Sequence, residues 1–305
     1  FIGSHLVERL LSDGARVVGI DCFSDYYARK QKEANISKAR GHRGFTLIEA
    51  RIQDVHLGEL LSDTTHVFHL AAQAGVRKSW GRDFSLYTAF NIDATQILLE
   101  ACANVDLQRV VYASSSSVYG EVRNEPMRED QRLQPISPYG VSKLAAEHLC
   151  YLYWAAHGVP VVSLRYFTVY GPRQRPDMAF NRFFRAILKG HPITLYGDGK
   201  QTRDFTFVSD TISATVAAAD RGVPGSVYNI GGGTQASVNQ VLELMSACTG
   251  IRPQINRQAA QKGDMRHTCA DISTARQTLG FDPQITLETG IPSEFHWISE
   301  TEIAE

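Results

Sequence analysis

The sequence predicts an α/β protein with a doubly wound parallel sheet and a smaller C-terminal α/β lobe. Over residues 1–170, short apolar segments rich in β-branched residues alternate with helical segments. This is the pattern of a parallel sheet covered by helices on both faces. After residue 170, the loop GPRQRP is followed by more turns and fewer clean alternations. We therefore expect one domain over residues 1–170 and a second lobe over 171–305, with about 206–231 returning to the first domain.

The individual elements follow from local signals. An amphipathic segment opens the chain and ends at the turn Asp13-Gly14. Apolar runs of strand length predict strands at residues 15–20, 45–49, 65–70, 109–113 and 161–165. Helical spacing of apolar residues predicts helices at 56–61, 91–104, 142–157 and 209–219. Sheets of this kind bind ligands at the carboxyl ends of their strands.

Composition excludes several function classes. The 305 residues carry 31 Lys and Arg against 32 Asp and Glu, and this balance gives no global field for nucleic acid or acidic membranes. Five scattered cysteines without a CxxC pair indicate reduced thiols rather than disulfides or a zinc site. The apolar runs are too short to span a bilayer, and no signal segment opens the chain. We expect a cytoplasmic protein with no metal, no nucleic-acid partner and no membrane contact.

Tyr139 and Lys143 are four residues apart, a spacing that places two side chains on one face of a helix. A lysine ammonium beside a phenol favours the phenolate, so we expect a lowered pKa for Tyr139. Such a phenolate is a general base that can take a proton from an alcohol. The alternative is a chance pair on a solvated helix, because this spacing alone is common.

Four serines, Ser114 to Ser117, follow the predicted strand at 109–113 directly. They lie where ligands bind in this architecture, so one hydroxyl can hold a substrate alcohol against Tyr139. A polar loop with ordinary turn hydrogen bonds is the alternative.

The start of the chain has the features of a dinucleotide-binding turn. If Gly3 is the last glycine of such a loop, the amides of Phe1 and Ile2 face a pyrophosphate at a helix N-terminus. We expect a first strand and the start of the glycine loop to be missing from this sequence. Asp21, at the end of the next strand, is placed to bind adenosine ribose hydroxyls, and an acid there favours NAD.

Three arginines are candidates to bind phosphate or carboxylate: Arg173, Arg175 and Arg203. A guanidinium matches these anions with paired N–H groups. Each alone is better explained as a solvated surface residue.

These motifs occur together and in order, and the sequence resembles the extended short-chain dehydrogenase/reductase family, whose fold is of the Rossmann type. The resemblance covers nearly the whole chain and includes FIGSHLVERLL, VVGID, HLAAQAGVR, SSSSVYG, PYGVSK, RYFTVYGPR, ITLYGDGKQTRDFTFVSD and KGDMRHTCADIS. Within the family the chain is most similar to the nucleotide-sugar 4-epimerases. The resemblance implies an NAD-dependent enzyme that inverts C4 of a UDP-sugar through a 4-keto intermediate.

The resemblance also assigns roles to residues. It implies that Ser115, Tyr139 and Lys143 are catalytic. It implies cofactor contacts from Phe1, Ile2, Asp21, Arg51, Ile52, Leu70, Ala71, Ala72, Asn91, Tyr139, Lys143 and Tyr166. It implies that Tyr196 lies near uracil and that Arg203 and Asp264 hold the diphosphate and ribose. Two positions depart from the family pattern, because many relatives have an aspartate at Arg51-Ile52 and an arginine at Gln261.

The patterns HLAAQAGVR and TVYGPRQRPDMA resemble UDP-glucuronate 4-epimerases. The resemblance implies that the sugar carboxylate is surrounded by Ser116, Ser117, Thr168 and Arg175. Oxidation of C4 gives a β-keto acid that loses CO2 readily, and these groups can hold the carboxylate in a poor orientation for that loss. Decarboxylases and 4,6-dehydratases of the family carry an acid just after the catalytic Ser or Thr, where this chain has serines. The expected reaction therefore converts UDP-glucuronate to UDP-galacturonate.

Two alternatives stay open. One is a UDP-glucose 4-epimerase in which Arg175 has only a surface role. The other is a non-catalytic NAD-binding regulatory protein, against which the intact Ser115, Tyr139 and Lys143 argue. Relatives use the apolar outer faces of the helices at 91–104 and 142–157 in a four-helix interface, so we expect a homodimer, with intramolecular packing as the alternative.

Overall fold

The computed structural model describes residues 1–121 and 125–303. Its strands are β1 Val17–Asp21, β2 Phe45–Glu49, β3 His66–His69, β4 Arg109–Ser115, β5 Val161–Tyr166, β6 Thr168–Tyr170, β7 Ile193–Tyr196, β8 Thr202–Phe207, β9 Val227–Ile230, β10 Gln235–Ser237 and β11 Ile255–Gln258. Its α-helices are α1 Ile2–Ser12, α2 Arg29–Arg40, α3 Leu57–Leu61, α4 Phe84–Tyr87, α5 Ala94–Cys102, α6 Pro138–His157, α7 Ala179–Leu188, α8 Val208–Arg221, α9 Val238–Thr249, α10 Ser273–Leu279 and α11 Leu287–Ile303.

The central sheet is parallel, with strands in the order β3-β4-β5-β9, and β1 and β2 form a second parallel pair. Alternate residues of β4 face opposite sides. Val110 and Tyr112 pack with α5 and α6, whereas Val111 and Ala113 pack with α1 and α8. Helices thus cover both faces of the sheet, which confirms the predicted doubly wound α/β fold.

The second lobe is built on β6, β8 and β10, with the parallel pair β7–β11 beside them. Its core is rich in aromatic rings that α7, α9 and α11 cover, with Phe180 and Phe205 at 4.9 Å between ring centroids. The chain leaves this lobe through α8, which packs on the central sheet, and β9 then pairs with β5.

Several element boundaries differ from the sequence prediction, and two of these differences affect the site. α6 starts at Pro138 rather than at residue 142, because Ser137 caps the helix by accepting a hydrogen bond from the Gly140 amide at 3.1 Å. Residues 88–93 form a π-helix before α5, a local widening that periodicity of apolar residues does not reveal.

Over residues 1–121 and 125–303, no helix has the length and apolarity needed to cross a membrane. The same described ranges contain no group of three or more His, Cys, Asp and Glu side chains placed to hold a metal ion. The five cysteines are free thiols.

Candidate active site

A cavity of about 1880 Å³ lies at the carboxyl ends of β1, β3, β4 and β5 and reaches the second lobe at Tyr196 and Arg203. It also extends into the gap between β1 and β3, which are not hydrogen-bonded to each other within the described residues. The volume therefore covers more than one ligand site. Its position matches the sheet edge at which this architecture binds ligands.

Close packing of the α6 N-terminus against the serine loop brings Tyr139 and Ser115 into the same part of the cavity. A Cβ on Gly140 would lie 2.4 Å from the Ser117 carbonyl oxygen, so only glycine permits this approach. The Ser115 hydroxyl accepts a hydrogen bond from the Ser117 amide at 3.2 Å, which starts the short 3-10 turn Ser116–Val118. The turn fixes the Ser115 side chain at the end of β4.

The electrostatics of Tyr139 differ from the sequence prediction. Burial raises the pKa of Tyr139, and this effect outweighs the opposing effects of the nearby Ser115 hydroxyl and of the Arg175 charge. The expected lowering of the Tyr139 pKa by Lys143 is therefore wrong. Burial also lowers the pKa of Lys143 to about 8. The low polarity of the site disfavours both charged forms, an effect that residue spacing does not encode.

Lys143 is 3% exposed, and its Nζ lies 4.6 Å from the centroid of the Tyr112 ring. Within the described residues its ammonium has no hydrogen-bond acceptor, and the buried Tyr112 hydroxyl has no partner either. A buried ammonium with free donors fits a ligand that supplies hydroxyl acceptors, such as a ribose. Lys143 lines the cavity at that point.

The cavity wall near Asp21 fits a dinucleotide. α1 begins at Ile2 with no side-chain cap, so its first amides are available to an anion. A Cβ on Gly3 would meet nothing within 4 Å, which leaves room for a phosphate. Asp21 ends β1 and is exposed, and one of its oxygens accepts a hydrogen bond from the Phe23 amide at 2.7 Å. Among the described residues its second oxygen has no hydrogen-bond donor, so that oxygen can bind a ribose hydroxyl.

The other predicted cofactor residues divide into two groups. Those that line the cavity are Phe1, Ile2, Arg51, Ile52, Leu70, Ala71, Ala72 and Tyr166. Arg51 is exposed and pairs with Asp54 at 2.9 Å. Where many relatives have an aspartate that can bind the adenine amino group, this chain therefore has a cation. Asn91 does not line the cavity. Its amide bonds the Gln73 backbone and the Ser142 hydroxyl, so it supports the turn after β3 from behind.

The predicted carboxylate-binding residues all line the cavity: Ser116, Ser117, Thr168 and Arg175. The charge of Arg175 reaches Tyr139 and acts to lower its pKa. Arg173 does not join them. Its guanidinium pairs with Glu8 on α1 at 2.7 Å, so its candidacy as an anion clamp is not supported.

At the far end of the cavity the structure brings Tyr196, Arg203 and Asp264 together. It adds two arginines that sequence reasoning missed. Arg77 pairs with Asp264 at 2.7 Å and lies 4.4 Å from the Tyr196 ring centroid, and Arg182 lies 6.0 Å from the same ring. The three guanidinium groups outnumber the two carboxylates that act on Arg203, those of Asp264 and Glu121, so this end favours an anionic ligand. Gln261 is exposed and does not line the cavity.

An alcohol bound between Ser115 and Tyr139 would face Lys143, on the side of the cavity that fits a dinucleotide. This arrangement defines the class of dinucleotide-dependent oxidoreductases that act on alcohols. The separate cationic end, with its aromatic ring, extends the class to enzymes whose substrates carry a nucleotide.

Comparison with known proteins agrees with this class. A family model described as GDP-mannose 4,6 dehydratase matches residues 1–293. A UDP-glucuronate 4-epimerase of Thermodesulfobacterium geofontis is 34% identical, over 98% of this chain and 94% of that protein. An uncharacterized UDP-glucose epimerase of Bacillus subtilis is 43% identical, over 98% of this chain and 95% of that protein.

A crystal structure of the Bacillus cereus UDP-glucuronic acid 4-epimerase in complex with UDP-glucuronic acid and NAD matches with a TM-score of 0.96. It is 43% identical, over 99% of this chain and 96% of that one. The chain belongs to the extended short-chain dehydrogenase/reductase family of epimerases and dehydratases, as its motifs predicted.

Proposed function

We propose that this protein is an NAD-dependent 4-epimerase that converts UDP-glucuronate to UDP-galacturonate. Arg175 is the observation that carries the proposal. Its largely buried guanidinium lines the cavity and its charge acts on Tyr139, and the same cavity is lined by Ser116 and Thr168. A cation with several hydroxyls beside the catalytic base suits a sugar that carries a carboxylate next to its reacting carbon.

The residues of the chain account for the proton transfer. Tyr139 accepts the proton of the 4-hydroxyl while Ser115 holds that oxygen by a hydrogen bond. Bound NAD supplies the acceptor for the hydride that leaves C4. Lys143, with its free donors, is placed to bind the cofactor ribose, while the charge of Arg175 and the Ser115 hydroxyl favour the Tyr139 phenolate. Turning the 4-keto sugar about its diphosphate link presents its other face, so the hydride and proton return with inversion of C4.

The substrate carboxylate makes decarboxylation a possible side reaction. The 4-keto intermediate is a β-keto acid, and it loses CO2 when the C5–C6 bond aligns with the ketone π system. Ser116, Ser117, Thr168 and Arg175 supply donors that can hold the carboxylate away from that alignment. The two residues directly after Ser115 are serines rather than an acid, which supports epimerisation over dehydration or decarboxylation.

The test is an assay of the NAD-loaded protein with UDP-glucuronate and, separately, with UDP-glucose. We expect UDP-galacturonate to form, with kcat/KM for the acid sugar well above that for the neutral one. The name of the Bacillus subtilis relative favours a second candidate, a UDP-glucose 4-epimerase. Equal or faster turnover of UDP-glucose would select that candidate, and no turnover of either sugar would favour a non-catalytic NAD-binding protein.

A homodimer is also part of the proposal. Three apolar side chains of α6 are exposed, namely Val141, Tyr151 and Leu152 at 46%, 56% and 53%. Leu86 of α4 is exposed at 46% on the neighbouring element. Paired helices from two copies would cover this surface, and light scattering should give the mass of two chains. The five free thiols support a reducing compartment such as the cytoplasm.

A further inference from the structure

The guanidinium of Arg175 already has one partner within the chain. Asp177 binds its side edge, with Nε at 2.9 Å from Oδ1 and Nη2 at 3.1 Å from Oδ2. A guanidinium has five N–H groups, and this pairing uses two of them. Among the described residues Nη1 has no hydrogen-bond acceptor, so the end of the guanidinium stays available for a second carboxylate.

Asp177 is itself held in place by Tyr26, whose hydroxyl donates to Oδ2 at 3.0 Å. The Tyr26 ring also lies below the guanidinium of Arg175, at 5.7 Å from the ring centroid. Tyr26 therefore contacts both members of the ion pair. It comes from the loop between β1 and α2, whereas the pair comes from the loop before α7.

The position of Tyr26 depends on the wall of the catalytic site. A Cβ on Gly75 would lie 2.3 Å from the Tyr26 hydroxyl oxygen, so this contact requires glycine. The Gly75 carbonyl accepts a hydrogen bond from Tyr87 at 2.7 Å, and the Tyr87 ring packs edge-on against Tyr139, with 6.2 Å between centroids. A series of contacts thus connects Tyr26, which holds the Arg175 ion pair, to the catalytic Tyr139.

We propose that Asp177, anchored by the Tyr26 hydroxyl, is the positioning residue that makes Arg175 selective for a sugar carboxylate. It binds the side edge of the guanidinium and leaves the end edge to the substrate. Its carboxylate also balances the positive charge of the guanidinium before substrate binds. A free arginine side chain has several rotatable bonds, and fixing them in advance lowers the entropic cost of binding. The inference rests on the proposed function, because it assumes that Arg175 binds the carboxylate of UDP-glucuronate.

The opposite role would be competition. If Asp177 held the edge that the substrate needs, removing its charge would tighten substrate binding. The two roles therefore predict opposite signs for the same substitution.

The test uses Asp177→Asn and Tyr26→Phe in the NAD-loaded protein. Calorimetry on proteins that also carry Tyr139→Phe, which slows turnover, measures the Kd of UDP-glucuronate and of UDP, which lacks the sugar. Steady-state assays on proteins that keep Tyr139 separate KM from kcat. We expect the Kd and KM of UDP-glucuronate to rise roughly tenfold or more in Asp177→Asn, because charge-assisted hydrogen bonds are being disordered. We expect a smaller rise in the same direction for Tyr26→Phe. The Kd of UDP should change by less than about twofold in both.

Asp25→Asn is the matched control, because Asp25 is exposed and precedes Tyr26 directly. It should leave both Kd values unchanged. An unchanged or lower Kd for UDP-glucuronate in Asp177→Asn overturns the inference, and so does an equal loss of affinity for UDP, which would indicate general damage to the site. A wild-type protein that binds UDP-glucuronate no more tightly than UDP and does not convert it refutes the proposed function as well. If the wild type converts UDP-glucuronate and the variants bind it with unchanged Kd, only the positioning role of Asp177 is refuted.

Discussion

The buried ammonium of Lys143 is expected to lower the free energy of unfolding of the protein. Its amine is buried, and burial lowers its pKa from 10.5 to about 8. At about 1.36 kcal/mol per pKa unit, this corresponds to about 3 kcal/mol of unfavourable free energy for the protonated amine. Replacing the amine by an apolar group of similar length should remove that penalty. Lys143→Met should therefore raise the free energy of unfolding of the cofactor-free protein by about 3 kcal/mol at pH 7, while abolishing activity.

The pH dependence of this gain follows from the two pKa values. Below pH 8 the folded and unfolded states both carry the proton, so the full penalty applies. Between pH 8 and 10.5 the unfolded chain binds more protons than the folded protein, so the stability of the wild type rises with pH. The advantage of Lys143→Met should fall to about 1 kcal/mol by pH 10.

Urea denaturation of the two proteins at pH 7 and pH 10 measures both quantities. Lys30→Met is the matched control, because Lys30 is exposed on α2, and it should change the free energy of unfolding by less than about 0.5 kcal/mol. A Lys143→Met protein that is no more stable than the wild type at pH 7 would refute the reasoning. A gain that is the same at both pH values would refute it equally, since the penalty would then not arise from the charge.

Three further outcomes are expected. Tyr139→Phe removes the proposed base and should lower kcat roughly 10²–10⁴-fold with intact NAD binding, whereas retained turnover would exclude that role. Glu147→Gln leaves Arg165 without its buried partner, now at 2.6 Å, and should cost about 3–5 kcal/mol in a urea titration; a loss below about 1 kcal/mol would contradict this. Asp21→Asn should weaken NAD binding roughly tenfold in a fluorescence titration, and an unchanged Kd would remove Asp21 from the cofactor site.

Local patterns predicted the elements that carry the chemistry. The spacing of Tyr139 and Lys143 predicts a shared helical face, because four residues make about one helical turn. The serines at 114–117 are predicted to bind a ligand because they end a buried strand, and the family resemblance then implies that Ser115 is the catalytic one. Each of these signals lies within a few residues of the chain. The parallel sheet was predicted for the same reason, since each strand and helix has its own apolar period.

The interactions that the sequence did not reveal join distant segments. Tyr26 and Asp177 are 151 residues apart, and Arg77 and Asp264 are 187 apart. No local spacing marks either pair. The pKa of Tyr139 was mispredicted for a related reason, because the degree of burial depends on packing by several elements rather than on the neighbouring lysine. Asn91 occupies the predicted region, but tertiary hydrogen bonds direct its amide away from the cavity.

The fate of the hydrogen at C4 tests the proposed chemistry most directly. The NAD-loaded protein would be incubated with UDP-glucuronate that carries deuterium at C4, and the product would be examined by NMR and mass spectrometry. We expect UDP-galacturonate that retains the deuterium at C4 with inverted configuration, because the hydride leaves and returns within one closed site. Loss of the label to solvent, or recovery of the substrate with no epimer formed, would contradict inversion through a 4-keto intermediate.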